Sequence, residues 1–435
     1  MNRQTGRLAF ACVVSLLVLS IATTTATAKA RKARAVDPVT CGQMITSDTT
    51  LKNDVGPCPG VGLIIAGDHV RLDLNGHSVT GNPQARSADS ADSAGILFRD
   101  VSHSSVLDGT VQQFDAGVAI NGGSKNTVRN ITARDNINFR VVTGQDAATG
   151  SCDLGDGITA DNSSNNRIER NQLLHNGPFS GISLIDNSDG NRVSRNVVLD
   201  NDVVNRAPGA TRPTICGTGV GPMTLGRTVQ DIGIRVEGPG ANQNRILHNQ
   251  VERSALLGIA ILPTLCTPPD NMPPRPNDSN VIASNTVAQT GLTTHTMDSV
   301  ADGIAVLENG PPGVVCPASN NTVRDNVSRG NFRDGIKIAG RGRGDNKVIH
   351  NQADDNARDG LAVLGPENGR FGPLPGSINN RLSANAGMNN ARFDGADFNL
   401  TPPCDNNRWR GSQFGKVNQS CVDRNATVFT PPPTP

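Results

Sequence analysis

Residues 321–356 contain one motif twice, and a motif recurring at fixed period constrains a fold more than any local propensity does. Asn321-x-Val323-x-x-Asn326-x-Ser328-x-x-Asn331 is followed by Gly335-Ile336-x-Ile338. Asn346-x-Val348-x-x-Asn351-x-Ala353-x-x-Asn356 is followed by Gly360-Leu361-x-Val363, and the second copy starts 25 residues after the first. The first Asn recurs at Asn166, Asn191, Asn244, Asn280, Asn380 and Asn407. The second, five residues on, recurs at Asn171, Asn196, Asn249, Asn285 and Asn385. Two residues after each first Asn stands Ile168, Val193, Ile246, Ile282, Val323, Val348, Leu382 or Trp409. This spacing is not helical. Single apolar residues separated by Asn and Gly describe strands of about three to five residues joined by tight turns. A unit of roughly 22–25 residues is one turn of a coil with three short strands, which buries its inner face only by stacking on its neighbours.

That pattern resembles the right-handed parallel β-helix, the fold of pectate lyases, polygalacturonases and mannuronan epimerases. The repeat is similar to the generic parallel β-helix repeat that these enzymes share with many uncharacterised secreted proteins. The segment LDLNGHSVTG at residues 72–81 resembles the opening coil of such proteins. The resemblance covers nearly the whole mature chain and implies an all-β solenoid. It names no substrate.

Length alone would allow several domains, but the continuous repeat makes residues 41–425 one elongated domain. Residues 1–28 read as a signal peptide: Arg3 and Arg7, an apolar core over residues 8–22, and Ala26-Thr27-Ala28 as the cleavage site. No other stretch is long and apolar enough to span a bilayer. Residues 29–40 form a basic leader, and residues 426–435 a Pro-rich tail expected to be extended or disordered. The chain is therefore expected to be secreted or periplasmic, and monomeric. Aromatics make up only 3% of residues, which suits a narrow Ile/Val/Leu core and argues against sugar stacking. The net charge of +1 suggests neither nucleic acid nor an acidic matrix as partner.

Removing the signal leaves Cys41, Cys58, Cys152, Cys216, Cys266, Cys316, Cys404 and Cys421, an even number that suggests four disulfides. Cys41 and Cys58 bracket the first strand, expected over residues 45–51. Cys404 and Cys421 bracket a final repeat whose Trp409 and Phe414 close the core. Cys266 with Cys316, and Cys152 with Cys216, fall in equivalent loops and are expected to pair. No Cys or His cluster has zinc spacing.

A strand follows each of Gly95, Gly117, Gly157, Gly181, Gly233, Gly258, Gly303, Gly335 and Gly360. In this Gly-Ile column the first and third residues after Gly point inward and the second points outward. Insertions cluster before the column (137–155, 202–231, 291–301) and after it (263–279, 308–319, 364–378). Such loops would wall in the column, and insertions on one side of a solenoid commonly mark its binding face. Extracellular polysaccharide is the expected partner along it.

The repeated Asn residues read as scaffold: Asn tolerates left-handed turns, and stacked amides form hydrogen-bond ladders. Asp156, Asp302, Asp334 and Asp359 each precede a column Gly, the last three in successive coils. Asp-Gly makes a turn by itself. Carboxylates stacked roughly 4.8 Å apart would also repel, and so must share protons, hold a cation or pair with basic groups such as Lys337, Arg341 or Arg343. A carboxylate pair could serve glycoside hydrolysis. Carboxylates holding Ca²⁺ beside Lys337 would suit β-elimination from a uronic acid. Asp302, Asp334, Lys337 and Asp359 are thus the catalytic candidates, and Arg235, Glu237 and Arg341 the binding candidates. Arg235 and Glu237, two residues apart on one strand, also read as a surface ion pair.

Polygalacturonase-like sites carry paired Asp motifs, Gly-His-Gly and Arg-x-Lys, of which only Lys337 matches a fragment. Mannuronan epimerases carry Asp-Pro-His and a Tyr, and this chain has neither. The periplasmic copper-maturation β-helix family is also similar, but six Met and seven dispersed His mark no copper site. The leading expectation is a non-catalytic polysaccharide-binding β-helix. The alternative is a lyase or hydrolase acting on uronate polymers.

Overall fold

The computed structural model describes residues 38–82, 93–137, 155–177, 179–201, 232–263, 277–291, 301–307, 318–340, 342–369 and 372–430. The described residues form an all-β parallel β-helix with no helix among them. One parallel sheet of fourteen strands runs the length of the stack, from Gln43–Ile45 to Thr427–Val428. It is the Gly-Ile column. Two further columns are built from three-residue strands such as Thr322–Arg324 and Val327–Arg329, paired in register with Lys347–Ile349 and Gln352–Asp354. The columns pair strand on strand in parallel, as stacking of successive coils requires.

The apolar residue of each repeat lies in one continuous core. Ile168, Val193, Ile246, Ile282, Val323, Val348 and Leu382 are fully buried, and so are Ile336 and Ile338 of the Gly-Ile column. At the C-terminal end Phe414 packs beneath Trp409, ring edge to face at 6.0 Å, and closes that core.

The Asn residues form three ladders along the stack. In the first, the backbone N–H of each Asn donates to Oδ1 of its counterpart in the next coil: Asn280 to Asn321, Asn321 to Asn346 and Asn346 to Asn380, at 2.9, 2.9 and 3.1 Å. The second runs through Asn285, Asn326, Asn351 and Asn385 in the same way. The third runs through Asn331, Asn356 and Asn390. These buried amides satisfy backbone donors at the corners, where no strand partner exists. The left-handed turns belong to a different residue. Asp325, His350, Asp355 and Asn320, each just before a ladder Asn, have φ between 53° and 57°. The Asn itself is the bracket, and its predecessor is the turn.

Two boundaries differ from expectation. Residues 45–51 are not one strand: Gln43–Ile45 and Thr49–Thr50 lie on different faces, with a corner between them. Thr427–Val428 joins the long sheet beside Lys416–Val417, so the solenoid continues past residue 425. Within the last insertion, Glu367–Gly369 and Gly372–Leu374 form an antiparallel pair. The signal peptide, most of the leader and most of the insertions lie outside the described residues.

Cys41 bonds Cys58 and Cys404 bonds Cys421, one disulfide at each end of the stack as the spacing suggested. Such bonds place the chain outside the cytoplasm. Cys152, Cys216, Cys266 and Cys316 lie outside the described residues. No helix among the described residues is long and apolar enough to cross a membrane.

Candidate functional site

The glycine of the Gly-Ile column has a steric cause. A Cβ on Gly335 would sit 2.7 Å from the carbonyl oxygen of Gly360, and one on Gly303 2.8 Å from that of Gly335. The same contact recurs at 2.5–2.7 Å for Gly117, Gly157, Gly181, Gly233 and Gly258. Only glycine lets successive coils approach this closely at the corner.

The residues following these glycines point as expected, but the outward row is covered. Ala119, Thr159, Ser183, Arg235, Ala260, Ala305, Lys337 and Ala362 expose between 0% and 7% of their surface. Ile232, Leu257, Ala260 and Ala305 belong to a second apolar cluster, separate from the core. The row is thus an interior layer at these positions, not an open trough.

Asp302, Asp334 and Asp359 are brought together as a stacked column, all three fully buried. Of the three ways to relieve their repulsion, the structure uses pairing with basic groups. Lys337 Nζ donates to Asp302 Oδ2 at 3.2 Å. The Arg358 guanidinium grips both oxygens of Asp334, with Nε 2.6 Å from Oδ1. Arg392 grips Asp359 in the same manner, with Nε 2.8 Å from Oδ1, and Arg358 Nε lies 3.4 Å from the other Asp359 oxygen. The carboxylates also accept backbone donors, Asp334 N–H to Asp302 and Asp359 N–H to Asp334 at 3.2 and 3.3 Å. Burial, and then the charges of Asp302 and Asp359, push the Asp334 carboxyl well above the usual range. Burial also raises Asp359, while Arg392 pulls it back down. Asp156 occupies the same column, but Ser180, Ile232 and Leu257 separate it from Asp302.

Lys337 was foreseen as a partner; Arg358 and Arg392 were not. Their signal was present: Arg333-Asp334, Arg358-Asp359 and Arg392-Phe393 repeat one position before the column residue, and Phe393 lies opposite Asp359. Arg235 and Glu237 do pair, but not at the surface as expected. Arg235 is fully buried, its guanidinium 3.9 Å over the Phe179 ring, and Nε donates to Ser180 Oγ at 3.0 Å. Arg235 belongs to the covered outward row, so pointing away from the core does not bring it to the surface. Arg341 lies outside the described residues.

Among the described residues no three His, Cys, Asp or Glu side chains converge in a way that could hold a metal ion. Copper does not fit them, and the carboxylates that Ca²⁺ would use are engaged by Lys337, Arg358 and Arg392.

Residues 42–211 match the family described as periplasmic copper-binding protein (NosD), less than half of the chain. No curated protein matches the sequence. Among solved structures, a double mutant of the periplasmic alginate epimerase AlgG superposes with a TM-score of 0.50 at 12% identity, covering 84% of this chain and 73% of that one. The catalytic domain of a GH87 alpha-1,3-glucanase in complex with tetrasaccharides gives a TM-score of 0.49 at 12% identity, covering 85% of this chain and 64% of that one. DFA-IIIase from Arthrobacter chlorophenolicus, without its lid, gives 0.48 at 12% identity, covering 84% and 83%. At these identities the likeness is one of fold.

Proposed function

We propose that the protein is an extracytoplasmic β-helix that binds polysaccharide and does not turn it over. The observation that carries this reading is the state of the acid column. A hydrolase needs two carboxyl groups open to its substrate, and a lyase needs a free base beside a cation. Asp302, Asp334 and Asp359 are buried and engaged by Lys337, Arg358 and Arg392. That arrangement supports a structural clamp between coils. The β-helix fold, shared with an alginate epimerase, supports a glycan ligand. With the outward row of the Gly-Ile column covered, the ligand would contact other surfaces of the solenoid.

The alternative, a uronate lyase or hydrolase, is favoured by one observation. Asp334 holds its proton well above the usual carboxyl range, as a general acid must. One experiment separates the two. The purified protein is incubated with uronate polymers with and without Ca²⁺, and binding, unsaturated product and reducing ends are read. Binding without product is expected. Product that disappears in Asp302→Ala, Asp334→Ala or Lys337→Ala variants overturns the proposal.

A further inference from the structure

The residue directly after the first Asn of each repeat opens the second strand column and points outward. In register along the stack this row reads Arg167, Arg192, Arg245, Val281, Thr322, Lys347, Arg381 and Arg408. It holds two runs of three cations from consecutive coils, separated by two neutral coils. None of these six side chains forms an ion pair or hydrogen bond with a described residue. The contrast with the acid column is sharp, because there every charge has a partner.

The C-terminal run is the more developed. Lys347, Arg381 and Arg408 are exposed. Two residues further along each strand, the same face carries Ile349, Ser383 and Arg410. It holds no carboxylate. Arg381, Ser383, Arg408 and Arg410 line a cleft of about 240 Å³ over the strand whose Leu382 side chain turns into the core. Like charges stacked roughly 4.8 Å apart repel, so three unneutralised cations beside a cleft favour an anionic occupant. A guanidinium presents a planar fork that matches a carboxylate or sulfate with two hydrogen bonds.

We propose that this row is a binding site for an anionic polysaccharide, laid along the solenoid axis with one acidic sugar per coil and anchored in the cleft of Arg381, Arg408 and Arg410. The site rests on the polysaccharide reading above and adds to it a place and a charge. A linear polyanion fits because the row is linear, and its repeat is set by the coil rise. Single-stranded nucleic acid fits less well, since it calls for aromatic platforms between the cations. Trp409, the aromatic on this strand, packs against Phe414 and donates its indole N–H to Asp397 instead.

The test uses the purified, disulfide-intact protein, with polyuronate oligomers, a neutral glucan, duplex DNA and anionic vesicles as probes in a calorimetric titration. Three proteins are compared: the parent, Arg381→Gln/Arg408→Gln/Arg410→Gln, and a charge-matched control, Lys52→Gln/Arg99→Gln/Arg424→Gln. The parent is expected to bind polyuronate and to weaken as salt is added. The cleft variant should lose at least about tenfold in affinity while the control stays within about twofold of the parent. Equal losses in the two variants, or none in the cleft variant, overturn the site. So does a preference for DNA or vesicles over polyuronate. Binding of neutral glucan, unchanged in the cleft variant and without polyuronate binding, overturns the site but leaves the polysaccharide reading standing. Absence of binding to any glycan overturns both.

Discussion

Asn351→Ala tests whether the ladders hold the solenoid together. Asn351 Oδ1 accepts the Asn326 backbone N–H at 3.0 Å and its side-chain Nδ2 at 2.9 Å. Asn351 Nδ2 donates to the Val323 carbonyl at 2.9 Å and to Asn385 Oδ1 at 3.0 Å. Truncation removes all four. Asn326 Nδ2 keeps the Ile282 carbonyl, and Asn385 Oδ1 keeps the Asn351 backbone N–H. The backbone N–H of Asn326 is left facing a buried void. A net loss of about 1 kcal/mol for each of the other three hydrogen bonds, with about 1–3 kcal/mol for the orphaned donor, sums to about 4–6 kcal/mol. The neighbouring His350 is the control. It sits at φ 53° with an exposed side chain, so glycine relieves the left-handed conformation, and His350→Gly should be neutral or stabilising by up to about 1 kcal/mol. Denaturant unfolding, with amide exchange over residues 320–390, gives both values. A cost below about 1 kcal/mol for Asn351→Ala, or an equal cost for His350→Gly, would refute the division between bracket and turn.

Asp334→Asn should gain on the parent as pH rises. A folded-state carboxyl raised above its unfolded value of about 3.9 contributes stability in full below that value and loses it as pH climbs through the folded value. Thermal unfolding of both proteins from pH 4 upward checks this; a variant that falls progressively behind would show that the Arg358 ion pair outweighs burial. Gly335→Ala places its Cβ 2.7 Å from a backbone oxygen that cannot step aside, and about 1–3 kcal/mol of destabilisation is expected in the same assay. Phe414→Ala should open the C-terminal end at a cost of about 3–5 kcal/mol. Limited proteolysis should then cut within residues 400–430 first, and uniform digestion along the chain would contradict the capping role.

The fold was legible because a coil writes its period into the chain. Ile168, Val193, Ile246 and their successors occupy one geometric position, so a single alignment places all of them. The electrostatics were less legible. Pairing across coils joins residues separated by 24 to 35 positions, as in Arg358 with Asp334 and Lys337 with Asp302. Nothing local marks Arg358 as the partner until the register is known. The unpaired cations were hidden in another way. Each stands between the ladder Asn and the core residue, as in Asn166-Arg167-Ile168 and Asn380-Arg381-Leu382, but summing 40 basic against 39 acidic residues conceals a row segregated on one face. Arg235 shows the limit of strand alternation: pointing away from the core is not the same as reaching water.

The ladders also have a direction. Along each of them the backbone donor of one coil points to a side chain encoded later, from Asn126 to Asn166, Asn191 and onward. An N-terminal portion of the chain, emerging first, always carries a last coil whose donors await acceptors not yet delivered. The third ladder reaches a carboxylate at its far end, where the Asn390 backbone N–H donates to Asp394 Oδ1, while the first ends at Asn407, whose backbone N–H donates to the Cys404 carbonyl and whose Nδ2 donates to Asp397. Loss of the last coil would strip backbone donors of the coil before it of their acceptors, whereas loss of the first would strip side-chain amides of the coil after it, as with Asn126 Nδ2 and the Val101 carbonyl, of theirs.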